Sequence, residues 1–344
     1  MRNRPSIKFV AGKTLIQTGC SLWFVEVPIP FGKKSQRNVV RQSPGKDREI
    51  HRSTRVKLRP RRDWHKRNYL SEVLIPSLFI PRAGDYVPPQ FPVIQPGEIC
   101  ITWIGHASFL LQTRDMNILI DPIWSKWLKV IKRLKRPGFE IHHLPEIDMV
   151  LVTHAHFDHL DRRTLRKVAS DQPIVVPIGV GNLVHDLGFH IVHELDCWQK
   201  VKLGSIEVSL TPCYHWGARF LADLHRGFGG FAIAAEGRTI FHCGDSAFFP
   251  GFREIGERYQ IDIALLPIGA YDPPTGREVH MNPEEAVRAF IELKAKKLVP
   301  MHYGTFRLGY EPMEEPPQRL LASARAHGIE ENVLIMTEGK PVVL

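Results

Sequence analysis

Short apolar runs alternate with polar segments that contain glycine or proline along most of the chain, at lengths typical of buried strands. Residues 206–210 alternate between apolar and polar side chains, and residues 239–242 and 297–301 are further strand candidates. Residues 261–268 and 334–337 are apolar enough for strands within a buried sheet. Because helical patterns separate these runs, the sequence predicts an α/β domain.

A helix is predicted over residues 287–293, where apolar residues recur at helical spacing. Asn282 is suited to cap it, Pro283 to begin it, and two glutamates follow in its first turn. Upstream, residues 78–98 contain five prolines and predict an extended linker. We therefore predict a basic, partly irregular N-terminal extension over 1–97 and one folded domain over 98–344.

A dense group of histidines follows the apolar run at residues 147–152. Three histidines and one carboxylate fall within six positions, at His154, His156, Asp158 and His159. Imidazole is the commonest metal ligand near neutral pH, and carboxylate oxygen suits the same cations. On an extended strand end, His154 and His156 point the same way, whereas the other two donors follow where the chain turns toward a helix. Two pairs of donors on one loop predict two metal ions side by side.

A dinuclear site needs roughly six to eight protein ligands, more than one loop supplies. His215, Asp245 and His302 each follow a predicted strand, with glycine or proline nearby to turn the backbone. Taken singly, each has a structural alternative as a buried polar group that simply satisfies a hydrogen bond. Their common position at strand ends predicts instead that they complete the metal site.

This order of donors resembles that of the metallo-β-lactamase fold superfamily. Further segments resemble the branch that contains N-acyl-phosphatidylethanolamine phospholipase D and its bacterial relatives. The resemblance covers about residues 98–344 and implies an α/β fold, a four-layer αββα sandwich with two sheets face to face and helices outside. The most specific segments are Trp103-Ile104-Gly105-His106, Pro267-Ile268-Gly269-Ala270-Tyr271 and His280-Met281-Asn282-Pro283-Glu284-Glu285-Ala286.

The resemblance implies a ligand for each metal position. Asp245 is expected to bridge both ions, since a carboxylate has two oxygens and a negative charge. The ions are expected to be Zn²⁺, with Fe or Mn as alternatives, and to hold a hydroxide that attacks phosphorus or a carbonyl carbon. Asp158 is also expected to orient this hydroxide. The remaining ligands are His154, His156 and His215 for the first ion, and Asp158, His159 and His302 for the second.

Three further residues are candidates for supporting roles. Asp121 is expected to orient the ligand histidines from behind. His106 has two interpretations that stay open, the same orienting role or a cap on the first hairpin. His280 is predicted to contact the substrate or to protonate the leaving group; its alternative is a structural neighbour of the helix that begins after Asn282.

The most specific functional prediction is a phosphodiesterase of the N-acyl-phosphatidylethanolamine phospholipase D type, with a small-molecule or phospholipid substrate. A lactonase or other ester hydrolase is the alternative, because hydroxide attack and charge stabilisation serve both reactions. A metal-binding or nucleic-acid-binding protein without this activity is an interpretation of another class. The complete set of seven donors argues against it.

Positive charge is concentrated near the N-terminus. Residues 31–67 carry 14 Lys or Arg and 3 Asp or Glu, a net +11, whereas the whole chain carries +10. A solvated arm is the favoured interpretation, and binding to anionic lipid or nucleic acid is the alternative. Few aromatic residues accompany the charge, which disfavours nucleic acid. Residues 124–136, where apolar and basic residues alternate, predict either an ordinary exposed helix or a peripheral membrane contact.

Five widely spaced cysteines provide no disulfide framework and indicate a reducing compartment. Cys213 and Cys243, beside the predicted ligands, are expected to be packed thiols. Residues 9–25 are too short and too interrupted to span a bilayer, and secretion or lipidation is disfavoured. A cytoplasmic protein, with peripheral membrane association as an option, is therefore expected. The sequence leaves the oligomeric state open.

Overall fold

The computed structural model describes residues 67–86, 88–220 and 223–344, and the backbones of three N-terminal strands. The chain divides into two compact units, Met1–Arg67 and Asn68–Leu344. In the first unit, strands β1 (Ile7–Val10), β2 (Lys13–Thr18) and β3 (Ser21–Val25) form an antiparallel sheet in that order. The basic segment over 31–67 lies outside the described residues except for Arg67. The domain boundary at residue 97 stays a prediction.

One sheet of the second unit has seven strands, which run in the order β11-β10-β9-β6-β5-β4-β18. Neighbouring strands in this order are parallel from β11 to β6 and antiparallel from β6 to β18. The strands are β4 (Cys100–Gly105), β5 (Ser108–Gln112), β6 (Asn117–Ile120), β9 (Met149–Leu151), β10 (Ile174–Pro177), β11 (Val192–Leu195) and β18 (Pro341–Val343).

The other sheet has six strands in the order β12-β13-β14-β15-β16-β17. Neighbours are antiparallel from β12 to β15 and parallel from β15 to β17. The strands are β12 (Lys200–Leu203), β13 (Ile206–Thr211), β14 (Gly230–Ala235), β15 (Arg238–His242), β16 (Ile263–Pro267) and β17 (Lys297–Met301).

Helices cover both sheets, which gives the four-layer αββα sandwich. Leu165 of α2 packs into the core of the seven-stranded sheet, and α4 packs on β16 with α3 and α5 beside it. No helix among the described residues is long and apolar enough to cross a membrane. The helices are a π-helical turn (Leu70–Leu74), α1 (Ile75–Phe79), α2 (Arg162–Val168), α3 (Gly251–Arg258), α4 (Pro283–Leu293) and α5 (Glu315–Ala326), with 3₁₀ turns at Ile141–His143, Gly181–Leu183 and Glu330–Asn332.

Strands β9 and β16 are buried along their whole length, as expected for strands covered on both faces. Around β9, Leu119, Val150 and Val176 belong to one apolar cluster that extends to Phe139 and Leu165. At roughly 25 cal/mol per Å² of apolar surface, burial of such side chains is the main stabilising contribution. The strand ends that carry polar residues are therefore held by a rigid, packed core.

Two local expectations from the sequence are wrong. Residues 124–136 do not form a helix, because Trp127–Leu128 (β7) and Ile131–Lys132 (β8) pair as a short hairpin with Lys129 at φ +54°. Residues 334–337 do not form a strand: Val333 makes a single bridge to Leu298, and Leu334 donates one hydrogen bond to the same residue. In both segments tertiary packing outweighs the local apolar pattern.

The cap of α4 allows a stability test. Asn282 accepts a hydrogen bond from the Glu285 N–H at 2.9 Å, and Glu285 accepts one from the Asn282 N–H at 3.0 Å. Asn282→Ala should lower the free energy of unfolding by about 1 kcal/mol, because the Glu285 N–H loses its side-chain acceptor. Asn282→Asp, which keeps the cap, should match wild type. Urea unfolding measures both, and an unchanged alanine variant would refute the contribution of the cap.

Candidate metal centre

Donor side chains from both sheets meet at one junction. The loop after β9 supplies four of them, and the ends of β13, β15 and β17 supply His215, Asp245 and His302. Their ligand atoms form two groups, each with all atoms within 4.8 Å of one another. The structure therefore brings together the seven residues expected to bind metal. The first group is His154, His156, His215 and Asp245; the second is Asp158, His159 and His302, together with His106, which was not an expected ligand.

In the first group, three imidazoles converge on one point. His156 Nδ1 lies 3.0 Å from His154 Nε2 and 3.2 Å from His215 Nε2. Burial, together with neighbouring histidines, holds the pKa of His154 and His215 well below the ordinary value, so these rings are neutral. Nitrogens that share one zinc-like ion at about 2.0–2.1 Å would lie roughly 3 to 3.5 Å apart. The spacing and the neutral state of the rings fit a shared cation.

The second group places a carboxylate between imidazoles. Asp158 Oδ2 lies 3.0 Å from His106 Nε2, 3.4 Å from His302 Nε2 and 3.9 Å from His159 Nε2. Burial acts to raise the pKa of Asp158, but the charge of His159, a hydrogen bond from His106 and the nearby His302 outweigh it and hold that pKa well below the usual range. Asp158 is therefore ionised and offers acceptor oxygens to this group.

Asp245 lies between the two groups. Its carboxylate oxygens are 3.1 Å from His159 Nε2, 3.2 Å from His302 Nε2, and 3.8 Å from both His154 Nε2 and His215 Nε2. Burial opposes ionisation, but His159 and His302 hold the pKa of Asp245 well below its usual range. One buried, charged carboxylate thus faces both groups, the arrangement that a bridging ligand requires.

Several buried site atoms have no hydrogen-bond partner among the described residues. They are the Nε2 atoms of His156, His159 and His302, together with Asp245 Oδ1. Buried polar atoms nearly always find a partner, because leaving one unpaired costs about 1–3 kcal/mol. Histidine nitrogens and carboxylate oxygens are the donors that zinc-like ions accept. The unpaired atoms at Asp245, His159 and His302 therefore fit metal ions at this junction.

Asp121 and Thr153 lie directly behind these groups. The fully buried Asp121 carboxylate is 2.7 Å from His159 Nδ1, and it accepts hydrogen bonds from the Thr153 N–H at 2.8 Å and hydroxyl at 2.6 Å. The same hydroxyl lies 3.0 Å from His154 Nδ1. Asp121 thus contacts His159 from behind, and its orienting role stays a prediction. Thr153 was missed, although its position between the strand and the first histidine is a usable signal.

His106 makes contacts that suit both of its interpretations, and its role stays a prediction. It lies in the turn between β4 and β5 at φ +56°, and its Nε2 is 3.0 Å from Asp158. Its backbone N–H donates to Thr305 Oγ1 at 2.8 Å, and its carbonyl accepts from the His302 N–H at 3.0 Å. Burial lowers the pKa of His106 to about 3, so the ring is neutral. The turn residue therefore also links the first sheet to His302.

His280 lies against the donor groups. Its Nδ1 is buried, has no hydrogen-bond partner among the described residues, and lies 4.0 Å from Asp245 Oδ2. Its ring centroid is 5.1 Å from that of His215 and 5.2 Å from that of His302. Burial lowers the pKa of His280 to about 4. One residue earlier, the Val279 carbonyl lies 3.0 Å from His215 Nδ1, a contact that the sequence did not predict.

Neither cysteine beside the site belongs to a donor group within the described part of the chain. Cys243 is buried, and burial raises the pKa of both Cys213 and Cys243 well above that of a free thiol. Protonated thiols bind metals poorly, because the thiolate is the ligand. Cys243 is a packed thiol, as expected, whereas Cys213 is half-buried.

A basic pocket adjoins the histidine loop and was not predicted. This cavity of about 210 Å³ is lined by Lys129, Arg163, Arg219 and the ring of Phe157, with Asp161 as its acid. The Arg219 guanidinium carbon lies 4.0 Å from the Phe157 ring centre, and its Nη1 donates to the Ala155 and Leu160 carbonyls at 2.8 and 2.9 Å. Burial, followed by repulsion from Arg162, lowers the pKa of Arg219 to about 10. The pocket thus favours an anion.

Comparisons with known proteins agree with this geometry. A family model described as the beta-lactamase superfamily domain matches residues 116–303, a range that contains all seven donors. An uncharacterized protein of Mycobacterium tuberculosis is 35% identical over 71% of this chain and 69% of its own length. A metal-dependent hydrolase of Pyrobaculum arsenaticum is 34% identical over 66% of this chain and 93% of its own. N-acyl-phosphatidylethanolamine-hydrolyzing phospholipase D 1 of Caenorhabditis elegans is 31% identical over 60% of this chain and 64% of its own length.

Solved structures share the architecture. A metallo hydrolase from the archaeon Ignicoccus hospitalis aligns with a TM-score of 0.57 and 24% identity, over 72% of this chain and 98% of its own. An isothiocyanate hydrolase from Delia radicum gut bacteria aligns with a TM-score of 0.60 and 20% identity, over 71% and 98%. At these identities the likeness supports the fold alone.

Removing the charge behind the site should destabilise the protein. Asp121→Asn should lower the free energy of unfolding by about 3 kcal/mol, because the buried His159 loses its charged partner. Asp115→Asn is the matched control, since this carboxylate is 66% exposed and should change stability by less than about 0.5 kcal/mol. Urea unfolding of chelator-treated protein measures both. Equal stability of the two variants would contradict a supporting role for Asp121.

Proposed function

The chain belongs to the beta-lactamase superfamily and has the metallo-β-lactamase fold of a metal-dependent hydrolase; on that premise we propose that it is a dinuclear phosphodiesterase of the N-acyl-phosphatidylethanolamine phospholipase D type. The observation that carries the proposal is the position of Asp245, one buried carboxylate between two donor groups. The similarity to the Caenorhabditis elegans enzyme supports the substrate class.

Each donor group would hold one ion. His154, His156 and His215 would hold the first, Asp158, His159 and His302 the second, and Asp245 both. When bound, the two ions supply Lewis-acid polarisation of the substrate and lower the pKa of water. Zn²⁺ is the ion that the donors favour, and Fe or Mn accept the same set.

The surrounding side chains divide the remaining tasks. The Asp158 side chain is 14% exposed and that of Asp245 is 2% exposed, so Asp158 is the carboxylate that an incoming water can reach. We assign it the role of orienting the attacking water and accepting its proton. Because burial lowers the pKa of His280 to about 4, this ring is neutral near pH 7. Of its two proposed roles, contact with the substrate is therefore favoured over proton donation.

The basic pocket separates the two candidate reaction classes. Lys129, Arg163 and Arg219 outnumber Asp161 there, and no carboxylate of the described residues forms an ion pair with these three cations. A phosphate-bearing substrate gains from this charge, since a charge-assisted hydrogen bond is about twice as strong as a neutral one. A lactone carries no charge for these cations to bind. The pocket thus favours a phosphodiester over a neutral ester.

An apolar surface near the pocket supports peripheral contact with a membrane. Phe79 is 81% exposed and Val130 is 67% exposed. Lys132 Nζ donates to the Leu78 and Ile80 carbonyls at 2.8 and 2.6 Å, which ties α1 to the β7–β8 hairpin. Exposed apolar side chains beside lysines are typical of proteins that bind the surface of an anionic bilayer. We propose that the substrate is reached there.

Turnover and metal content test the proposed reaction together. Purified protein should contain two metal ions per chain and hydrolyse bis(p-nitrophenyl) phosphate and a long-chain N-acyl phosphatidylethanolamine, but not an acyl lactone. Asp245→Asn should lower kcat/KM at least about a hundredfold, a larger loss than substitution of a residue that only hydrogen-bonds to a metal ligand causes. Asp171→Asn, at an exposed turn, should match wild type. Hydrolysis of the lactone alone would show that the proposed substrate class is wrong. Purified protein without bound metal would refute the mechanism.

Vesicle binding tests the membrane proposal. A Phe79→Ser and Val130→Ser double variant should bind anionic phospholipid vesicles at least about tenfold more weakly, because apolar burial contributes roughly 1.5–3 kcal/mol per large side chain. Val93→Ser is the control, since Val93 is 85% exposed but lies at a different groove, beside Gln112 and Asn117. Co-sedimentation measures the partition. Equal losses in both variants would mean that exposure alone, and not this surface, governs binding.

A further inference from the structure

Glu311 is a buried acid outside the donor groups. It is 7% exposed, and its carboxylate accepts hydrogen bonds from the backbone N–H groups of Ala270 at 2.6 Å and Asp272 at 3.3 Å. Within the described part of the chain, no Lys, Arg or His forms an ion pair with it. A buried charge without a cation needs such backbone donors to be tolerated. The two N–H groups therefore stabilise the buried carboxylate, and the carboxylate fixes the loop backbone that carries these N–H groups.

The segment that Glu311 contacts is the loop between β16 and α4. Ala270 has φ +60°, in the left-handed region that non-glycine residues rarely adopt. Its carbonyl accepts hydrogen bonds from Thr275 Oγ1 at 2.7 Å and from the Gly276 N–H at 3.2 Å. The Tyr310 N–H donates to the Pro273 carbonyl at 3.1 Å, beside Glu311. The carboxylate thus anchors the loop where its backbone is most constrained.

The same loop ends at the candidate metal centre. The His280 N–H donates to the Gly276 carbonyl at 3.1 Å, which places the His280 ring against the donor groups. The Val279 carbonyl lies 3.0 Å from His215 Nδ1 and therefore orients a proposed metal ligand. A displacement of the loop would move both groups together.

A glycine two residues before Glu311 leaves room for the Glu311 carboxylate. A Cβ added at Gly309 would collide with Glu311 Oε2 and lie 2.8 Å from the Asp272 carbonyl. Glycine at this position lets the 307–311 segment approach the loop closely enough for the Glu311 side chain to reach both N–H groups. The contact between Glu311 and the loop thus depends both on the loop N–H groups and on the glycine at position 309.

From these contacts we infer that Glu311 is a positioning residue, whose carboxylate fixes the 269–280 loop so that His280 and the Val279 carbonyl face the metal centre. The catalytic consequence rests on the proposed function, whereas the anchoring of the loop does not. Glu311 touches none of the donor groups and acts through backbone contacts alone.

The anchoring should depend on pH. Burial raises the pKa of Glu311 to about 7, with Asp272 acting in the same direction and backbone N–H groups opposing it. The other titratable groups that interact with it are Tyr271 of the loop and Tyr69 before the π-helical turn, and Arg307 acts on that second tyrosine. A raised pKa means that the folded arrangement binds this proton more tightly than the unfolded chain does, so deprotonation of Glu311 above pH 7 weakens the arrangement. The loop is therefore held most firmly below pH 7.

Hydrogen exchange of the full-length protein tests the inference without relying on turnover. In Glu311→Gln at pH 6, peptides over 269–282 should exchange at least about fivefold faster than in wild type, with the rest of the domain unchanged. Protection of this loop should fall in wild type between pH 6 and 8, after correction for intrinsic rates, and stay flat in the variant. Glu314→Gln, exposed three residues later, is the matched control and should behave as wild type.

Kinetics of the metal-loaded protein test the catalytic consequence. With bis(p-nitrophenyl) phosphate, Glu311→Gln should lower kcat about tenfold and change KM less than twofold, because a displaced group loses orientation rather than binding. Glu311→Asp keeps the charge and should recover part of both effects; it also replaces the glutamine variant if that one does not fold. Unchanged exchange and unchanged kcat would overturn the inference. Inactive wild type with the expected exchange pattern would instead refute the proposed function and leave the anchoring role intact.

Discussion

The buried carboxylate of Asp245 is the constraint on which the rest of the domain depends. It is 2% exposed and lies within 4.0 Å of ring nitrogens from five histidines. An uncompensated buried carboxylate would strongly destabilise the fold, so cationic or metal partners must reach it from both sheets. The order of the strands satisfies this demand, because the ends of β9, β13, β15 and β17 open at one junction.

Backbone strain is concentrated where these strands end. His106, Asp121 and His302 have φ values of +56°, +43° and +63°, which for non-glycine residues cost about 1–3 kcal/mol each. Hydrogen bonds across the junction, such as the one from the His302 N–H to the His106 carbonyl, hold these conformations. Gly244 has φ +62°, and a Cβ there would lie 2.9 Å from the Gly229 carbonyl and 3.0 Å from Thr153. The strained turns place His302 beside Asp245, His106 beside Asp158, and Asp121 beside His159.

The surroundings of the junction differ in character on its two sides. Behind it, Asp121 and Thr153 are fully buried and lie within hydrogen-bond distance of His159 and His154. In front, Trp216 is 40% exposed beside His156, and the pocket with Arg219 lies next to the loop. Hydrolysis of an anionic, partly apolar substrate requires a rigid, buried support on one side of the site and accessible basic and aromatic residues on the other. The proposed substrate class follows from this contrast as much as from the donor groups.

The sequence alone was sufficient where the signal is local. The histidine loop after β9, the strands that precede His215, Asp245 and His302, and the cap at Asn282 follow from periodicity and residue type over a few positions. The αββα fold was implied by family resemblance and is confirmed by the structure. The metal role of the seven donors, which the structure brings together, stays a prediction.

Tertiary structure decided whatever depends on contacts between distant segments. Thr153 against Asp121, Val279 against His215, and Glu311 under the 269–280 loop come together only in the folded domain. The same holds for the hairpin at residues 127–132 and the missing strand at 334–337, where packing outweighed the apolar pattern. Local patterns report which face of an element is buried. They carry no information about which segment covers that face, because that choice is made by the packing of the whole domain.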